Sequence, residues 1–187
     1  MIESGDLEKL LGIVEFVACI ENVDIGMSRL SEPFYLEKFG EDYHQVDGRK
    51  LGETVIHPTA RIAENVFIAE GVVIGERVEI LPGSFIGAGS IIAEDVKIFP
   101  NVTIYENVRI GARSRIHSGS VIGADGFGYN YHQGVHEKVW HTGGVIMGED
   151  VEVGSLSNID SGTFGPTRIG SGTKLDSQVM VAHNCQV

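Results

Sequence analysis

Isoleucine recurs at every sixth position from Ile56 to Ile122, through Ile62, Ile68, Ile74 and onward, without a single exception in twelve positions. Four places after each isoleucine comes a small or β-branched residue, from Ala60, Val66, Val72 and Val78 to Ser114, Ser120 and Gly126. A helix repeats its apolar face every 3.6 residues and a half-buried strand every two, so neither accounts for a period of six. A short strand that turns one aliphatic side chain inward, followed by a corner, does. Three such strands close a triangular coil of eighteen residues, rising by roughly the 4.8 Å between neighbouring strands. The pattern predicts an all-β chain, a left-handed parallel β-helix of hexapeptide repeats, with the isoleucines stacked in columns down its axis.

The six-residue frame breaks after Ile122. It returns at Met147, Val153 and Ile159, and again at Ile169, Leu175, Val181 and Val187. Two insertions are thereby marked: a long one at about 123–146, rich in glycine, aromatics and histidine, and a short corner loop from Gly165 to Arg168. The long one should project from the coils, and loops on a rigid repeat scaffold commonly carry function. Residues 1–50 do not follow the repeat and are expected to form a cap segment over the first coil of a β-helix domain at 51–187. Leu7–Val17 reads as an amphipathic helix and Pro33–Phe39 as a second, shorter one.

Composition narrows the class. Aromatic residues make up 7% of the chain against 25 glycines, so the core is aliphatic and the chain turns often. The net charge is −12, shared equally by residues 1–50 and the remainder, which argues against nucleic-acid binding. Arg109, Arg113 and Arg115 form the one local basic cluster and read as a solvated face. Cys19 and Cys185 lack metal-ligand spacing and read as reduced cysteines of a cytoplasmic protein. The first ten residues are acidic where a secretory signal would be basic. The apolar stretch Leu10–Ile20 is too short to span a bilayer, so no transmembrane segment is expected.

From Ile98 onward the residues say more than the period does. FPNVTIYENVRIG, IHSGSVIGADGFGYN over Ile116–Asn130, GGVIMGEDVEVG, the Ser157-Asn158-Ile159-Asp160 turn and VMVAHNCQV closely resemble the repeat region of the UDP-3-O-acylglucosamine N-acyltransferases of lipid A and lipopolysaccharide biosynthesis. The resemblance covers about residues 55–187. It implies a homotrimer with active sites between neighbouring β-helices. It also implies transfer of a 3-hydroxyacyl chain from the phosphopantetheine of acyl carrier protein to the 2-amino group of a UDP-linked glucosamine, with no tightly bound cofactor and no metal. The family's catalytic base, the histidine of its AHN motif, falls on His183. Its carrier and substrate contacts fall near Phe127 and Asp160.

Three departures stand beside that likeness. The first 50 residues do not match the family's uridine-binding domain. Ser161, followed by TFGPT, stands where the family usually has arginine and an acidic loop. The chain stops at Val187 in mid-coil, whereas the family continues for several coils with a second active-site histidine.

Each candidate residue has a chemical reason and a plainer alternative. An amine attacking a thioester must lose a proton, and neutral imidazole suits that task near neutral pH, so His183 is the candidate base. His117, in the Ile-His-Ser-Gly hexad, is a substrate-binding candidate or a solvent-facing turn residue. Asp160 either orients a histidine, binds a sugar hydroxyl or caps its own backbone. Gly126 and Gly128 flank Phe127, either easing a loop exit or letting an acyl arm approach. His132, His136 and His141 lie in a glycine-rich loop without a metal-type frame. With Met147 opening the thirteenth hexad, hexads twelve, fifteen and eighteen share one face, which holds the loop exit, Asp160 and His183.

Two other functions fit the same residues. One is an acetyl-CoA-dependent N-acetyltransferase acting on another nucleotide-linked amino sugar, and the other is a non-catalytic trimeric β-helix module.

Overall fold

The computed structural model describes residues 20–39 and 54–187. They divide into two compact units, one holding the helix Val23–Phe39 with Gly128–Trp140, the other holding 54–127 and His141–Val187. The expected helix Leu7–Val17 and Cys19 lie outside the described residues, as does most of the expected cap.

The larger unit is a parallel β-helix. Strands of two to four residues fall into three six-stranded sheets, and each strand pairs in parallel with the one three strands later. The first sheet contains Val55–Ile56, Val73–Ile74, Ile91–Ile92, Val108–Ile110, Val145–Met147 and Thr167–Ile169. The second and third sheets begin at Arg61–Ile62 and Phe67–Ile68 and repeat the order. Six coils result. Over the first four the register advances by eighteen residues, Val73 pairing with Ile91 and Ile98 with Ile116. Across the long insertion Ile110, Ile116 and Ile122 pair with Met147, Val153 and Ile159. These in turn pair with Ile169, Leu175 and Val181, so the resumed frame is the one the hexads predict.

The inward columns form the core. From Ile74 to Ile122 every isoleucine of the series is at most 2% exposed. Ile56 and Ile62, on the first described coil, are only partly buried. The second inward column includes serines, and each buried hydroxyl finds partners one coil on. Ser90 Oγ donates to the Tyr105 carbonyl at 3.0 Å and accepts from the Val108 amide at 3.2 Å. Ser84 does the same with Phe99 and Val102. A buried hydroxyl without partners would be unfavourable, so serine is tolerated here because the corner backbone supplies both.

Corners turn through left-handed backbone. Every sixth residue from Asn65 to Gly119 has φ between 53° and 77°, and most are Asn, Asp or Gly, the types that adopt this region most readily. One corner column alternates in charge: Arg77, Asp95, Arg113 and Asp150 occupy successive coils. Arg77 holds Asp95 through two bonds of 2.7 Å, and Arg113 holds Asp150 through two of 2.9 Å. Arg113 of the basic cluster is therefore one rung of an ion-pair ladder. The neighbouring guanidinium holds each aspartate below its ordinary pKa.

The smaller unit corrects the reading of Pro33–Phe39. The helix begins ten residues earlier, where Asn22 Oδ1 caps the amides of Asp24 and Ile25 at 3.0 and 3.2 Å. It then passes through Pro33. Proline removes the bond to the Arg29 carbonyl, but Arg29 and Pro33 are both exposed and water can replace it. Its buried stripe is Ile25, Ser28 and Ser31, two of the three bearing a hydroxyl, so a search for apolar periodicity misses it. Residues Tyr129–His132 and Val135–Lys138 of the long insertion form an antiparallel hairpin. Arg29 grips Glu137 of that hairpin with two bonds of 2.8 and 3.0 Å, and Asn130 donates to Ser28 Oγ.

Two outcomes are expected. Ile98→Ala, in mid-stack, should lose about 2–5 kcal/mol in urea unfolding, and Ile62→Ala measurably less; equal losses would contradict the axial core. Arg113→Met should lower Tm at pH 7, and the difference should shrink as pH falls below about 4. The sign follows because a depressed carboxylate pKa stabilises the fold above the unfolded-state value and ceases to do so once the native carboxylate is protonated.

Candidate functional site

Both insertions interrupt the same corner, where the third sheet hands over to the first. The long one follows Val121–Ala124 and the short one follows Asn158–Asp160. The equivalent corner of the sixth coil is Ala182-His183-Asn184, after Met180–Val181. Hexads twelve, fifteen and eighteen thus stack in one sheet, and their corners bring Asp125, Asp160 and His183 close together.

His183 is half-buried, and its orientation is fixed from the backbone up. Asn184 takes the left-handed corner conformation, φ 62°. Its Oδ1 accepts the Thr163 amide at 2.8 Å, while its Nδ2 donates to Thr163 Oγ1 at 2.9 Å and to His183 Nδ1 at 2.8 Å. An amide nitrogen can only donate, so in the neutral ring Nδ1 is the bare nitrogen and Nε2 carries the hydrogen. Reversing the Asn184 amide would set its NH₂ against the Thr163 N–H. Thr163 lies in the TFGPT stretch, which gives that stretch a structural task.

Asp160 is 3% exposed. Asn158 Nδ2 donates to its Oδ1 at 2.5 Å. Burial pushes its carboxyl pKa up, against the Asn158 bond and the fields of His183 and His141. It does not cap its own backbone. Ser161 is also buried: its amide donates to the Ala124 carbonyl at 2.7 Å and its Oγ accepts the Gly144 amide at 2.9 Å. A serine here therefore ties successive corners together.

His141 is the residue that sequence reasoning passed over. Of the three insertion histidines, His136 stays on the hairpin against Tyr131, and His132 is on the hairpin too. His141 returns to the coils with a side chain that has no exposure. Its ring meets His183 edge-on, centroids 4.8 Å apart. Between them runs Gly126, where a Cβ would lie 2.7 Å from His183 Cδ2 and 3.0 Å from His141 Nε2, so glycine is required by close approach. Phe127, next in sequence, is 86% exposed. Glu106, one coil earlier on the same column, has a buried Oε1 without a hydrogen-bond partner among the described residues, and burial pushes its carboxyl pKa up.

His117 is not part of this group. It follows the second-sheet strand Arg115–Ile116, its ring stacks on Phe99 at 4.5 Å, and its Nε2 lies 2.8 Å from Glu152 Oε1. That pairing holds Glu152 below its ordinary pKa. Among the described residues, no three His, Cys, Asp or Glu side chains are grouped to hold a metal ion, and no helix is long and apolar enough to cross a membrane.

Residues 89–124 match the bacterial transferase hexapeptide family, described as six repeats. The chain is 49% identical over 141 residues to a UDP-3-O-acylglucosamine N-acyltransferase of Leptothrix cholodnii, covering 69% of this chain and 41% of that protein. It is 44% identical over 140 residues to the one of Polynucleobacter asymbioticus, covering 70% and 39%. Over these coils the chain is homologous to the UDP-3-O-acylglucosamine N-acyltransferases. It spans about two fifths of the length of these relatives. The fold is shared with a mutant GDP-perosamine N-acetyltransferase from Caulobacter crescentus, solved with CoA and GDP-perosamine, at TM-score 0.54 and 21% identity over 95% of this chain and 69% of that one.

Gly126→Ala tests the closeness of the two rings. The added methyl should displace His183 and shift its ring resonances strongly, with a smaller loss of stability than Ile98→Ala. Unchanged His183 resonances would contradict the packing.

Proposed function

We propose that the chain carries the β-helix of an N-acyltransferase that moves a 3-hydroxyacyl group from acyl carrier protein to the 2-amino group of a UDP-3-O-acylglucosamine in lipid A biosynthesis. It works in the cytoplasm as a homotrimer. The observation that carries this reading is the 44–49% identity to enzymes of that name. The polar corner around His183 is consistent with it.

The amine nitrogen attacks the thioester carbonyl and becomes positively charged in the tetrahedral adduct. His183 takes the proton that this nitrogen must lose, and collapse of the adduct expels the thiol. Phe127, exposed beside Gly126, and Asp160 are proposed on the acyl and sugar side. His117, locked against Glu152 and Phe99, is the weaker substrate-binding candidate.

Accepting at the outward nitrogen of His183 needs the hydrogen on Nδ1, with Asn184 turned so that Oδ1 receives it. That turn gives up the Thr163 amide bond and sets two donors against each other, at about 1–3 kcal/mol. A general base that accelerates the reaction roughly 10²-fold is worth about 2.7 kcal/mol, which is of the same order.

The test uses the full-length protein with acyl carrier protein thioesters and acetyl-CoA as donors. Transfer from the carrier thioester to the UDP-amino sugar is expected, and His183→Ala should lower kcat by roughly 10²-fold or more. Transfer from acetyl-CoA alone would favour an N-acetyltransferase. No transfer from any donor would leave a β-helix that only assembles.

A further inference from the structure

The second imidazole of this corner has no assigned role, and its surroundings are unusual. The His141 ring is fully enclosed, yet neither ring nitrogen has a hydrogen-bond partner among the described residues. Buried polar atoms in that state are rare, and a functional role is one of the few reasons for keeping them. Asp125 holds the residue: its Oδ1 accepts the His141 backbone N–H at 3.1 Å and lies 3.3 Å from Nδ1, close but out of line for a hydrogen bond. A carboxylate beside Nδ1 favours the tautomer with the hydrogen there. The lone pair of Nε2 is then left on the side of Gly126, across from the Cδ2 edge of His183.

We propose that His141, held by Asp125, is a positioning residue for His183. It keeps its own proton on Nδ1 throughout and carries the field of the Asp125 carboxylate to the His183 ring. There it raises the affinity of that ring for the proton leaving the amine. Among the described residues, the other titratable group facing the pair is Asp160, from the next coil, whose carboxyl is tied to Asn158. The role in catalysis rests on the acyl-transfer reading; the coupling between the two rings does not.

Asp125 is partly exposed, so Asp125→Asn should fold, and His141→Phe keeps a ring against His183 while removing both nitrogens. The measurement is the NMR titration of the histidine ring nitrogens in the complete protein and both variants. His141 should remain neutral with hydrogen on Nδ1, and each variant should lower the His183 midpoint by on the order of half a pH unit or more. The acid limb of the kcat profile should move down with it. A His141 that matters only for packing predicts that the Phe variant leaves both unchanged. Hydrogen on His141 Nε2, or a His183 midpoint unmoved in the Asp125→Asn variant, would overturn the proposal. If His141→Phe fails to fold, Asp125→Asn decides alone. Intact shifts without any acyl transfer would refute the proposed function and uphold the coupling. Transfer with no shift would do the reverse.

Discussion

The hydrogen bond from one coil to the next is the constraint on which everything else depends. A two-residue strand has no stability of its own, and each amide in it is satisfied only by the carbonyl of a neighbouring coil, as Arg61 is by Val78 and Glu79 by Val96. That ladder fixes the coil height and so forces equal path lengths around every coil. Equal path lengths are what the six-residue period records. It also dictates the axial columns, because a residue eighteen places on lies directly above and must pack on its own kind. Isoleucine fills the interior at that spacing, and the corner column of Arg77, Asp95, Arg113 and Asp150 alternates in sign for the same geometric reason.

The same constraint explains where chemistry is possible. Strand segments cannot lengthen without breaking the ladder, so extra residues are admitted only at corners, and both insertions of this chain use one corner. Three successive coils there carry Asp125, Asp160 and His183, and the inserted chain returns His141 and Thr163 to them. A rigid stack therefore supplies the spacing, and the insertions supply the groups that touch. Ser161 shows the two working together, bonding both to the coil before it and to Gly144 at the end of the long insertion.

What was legible in the residues is what the ladder enforces. The isoleucine columns, the resumption at Met147 and Ile169, and the common face of the loop exit, Asp160 and His183 all follow from counting in sixes. The helix Val23–Phe39 was not legible in full, since two of the three residues of its buried stripe are serine and it runs through a proline. His141 was hidden for another reason. Its position depends on how the long insertion folds back, and in the chain it reads as one of three loop histidines without a frame. Only the fold of the insertion separates it from His132 and His136.

The tautomer of His183 is the clearest case of a property that no motif carries. An AHN sequence places an asparagine beside a histidine but leaves open which atom of the amide faces the ring. Thr163 decides it, by offering its backbone N–H to Oδ1 and so turning Nδ2 toward Nδ1. Thr163 belongs to the short insertion, which is thus coupled to the protonation state of the candidate base: a corner loop on the fifth coil sets the hydrogen-bonding polarity of a side chain on the sixth. The energy involved is that of about one hydrogen bond. That is large enough to select one tautomer at rest, and small enough to be reversed when the ring takes up a proton.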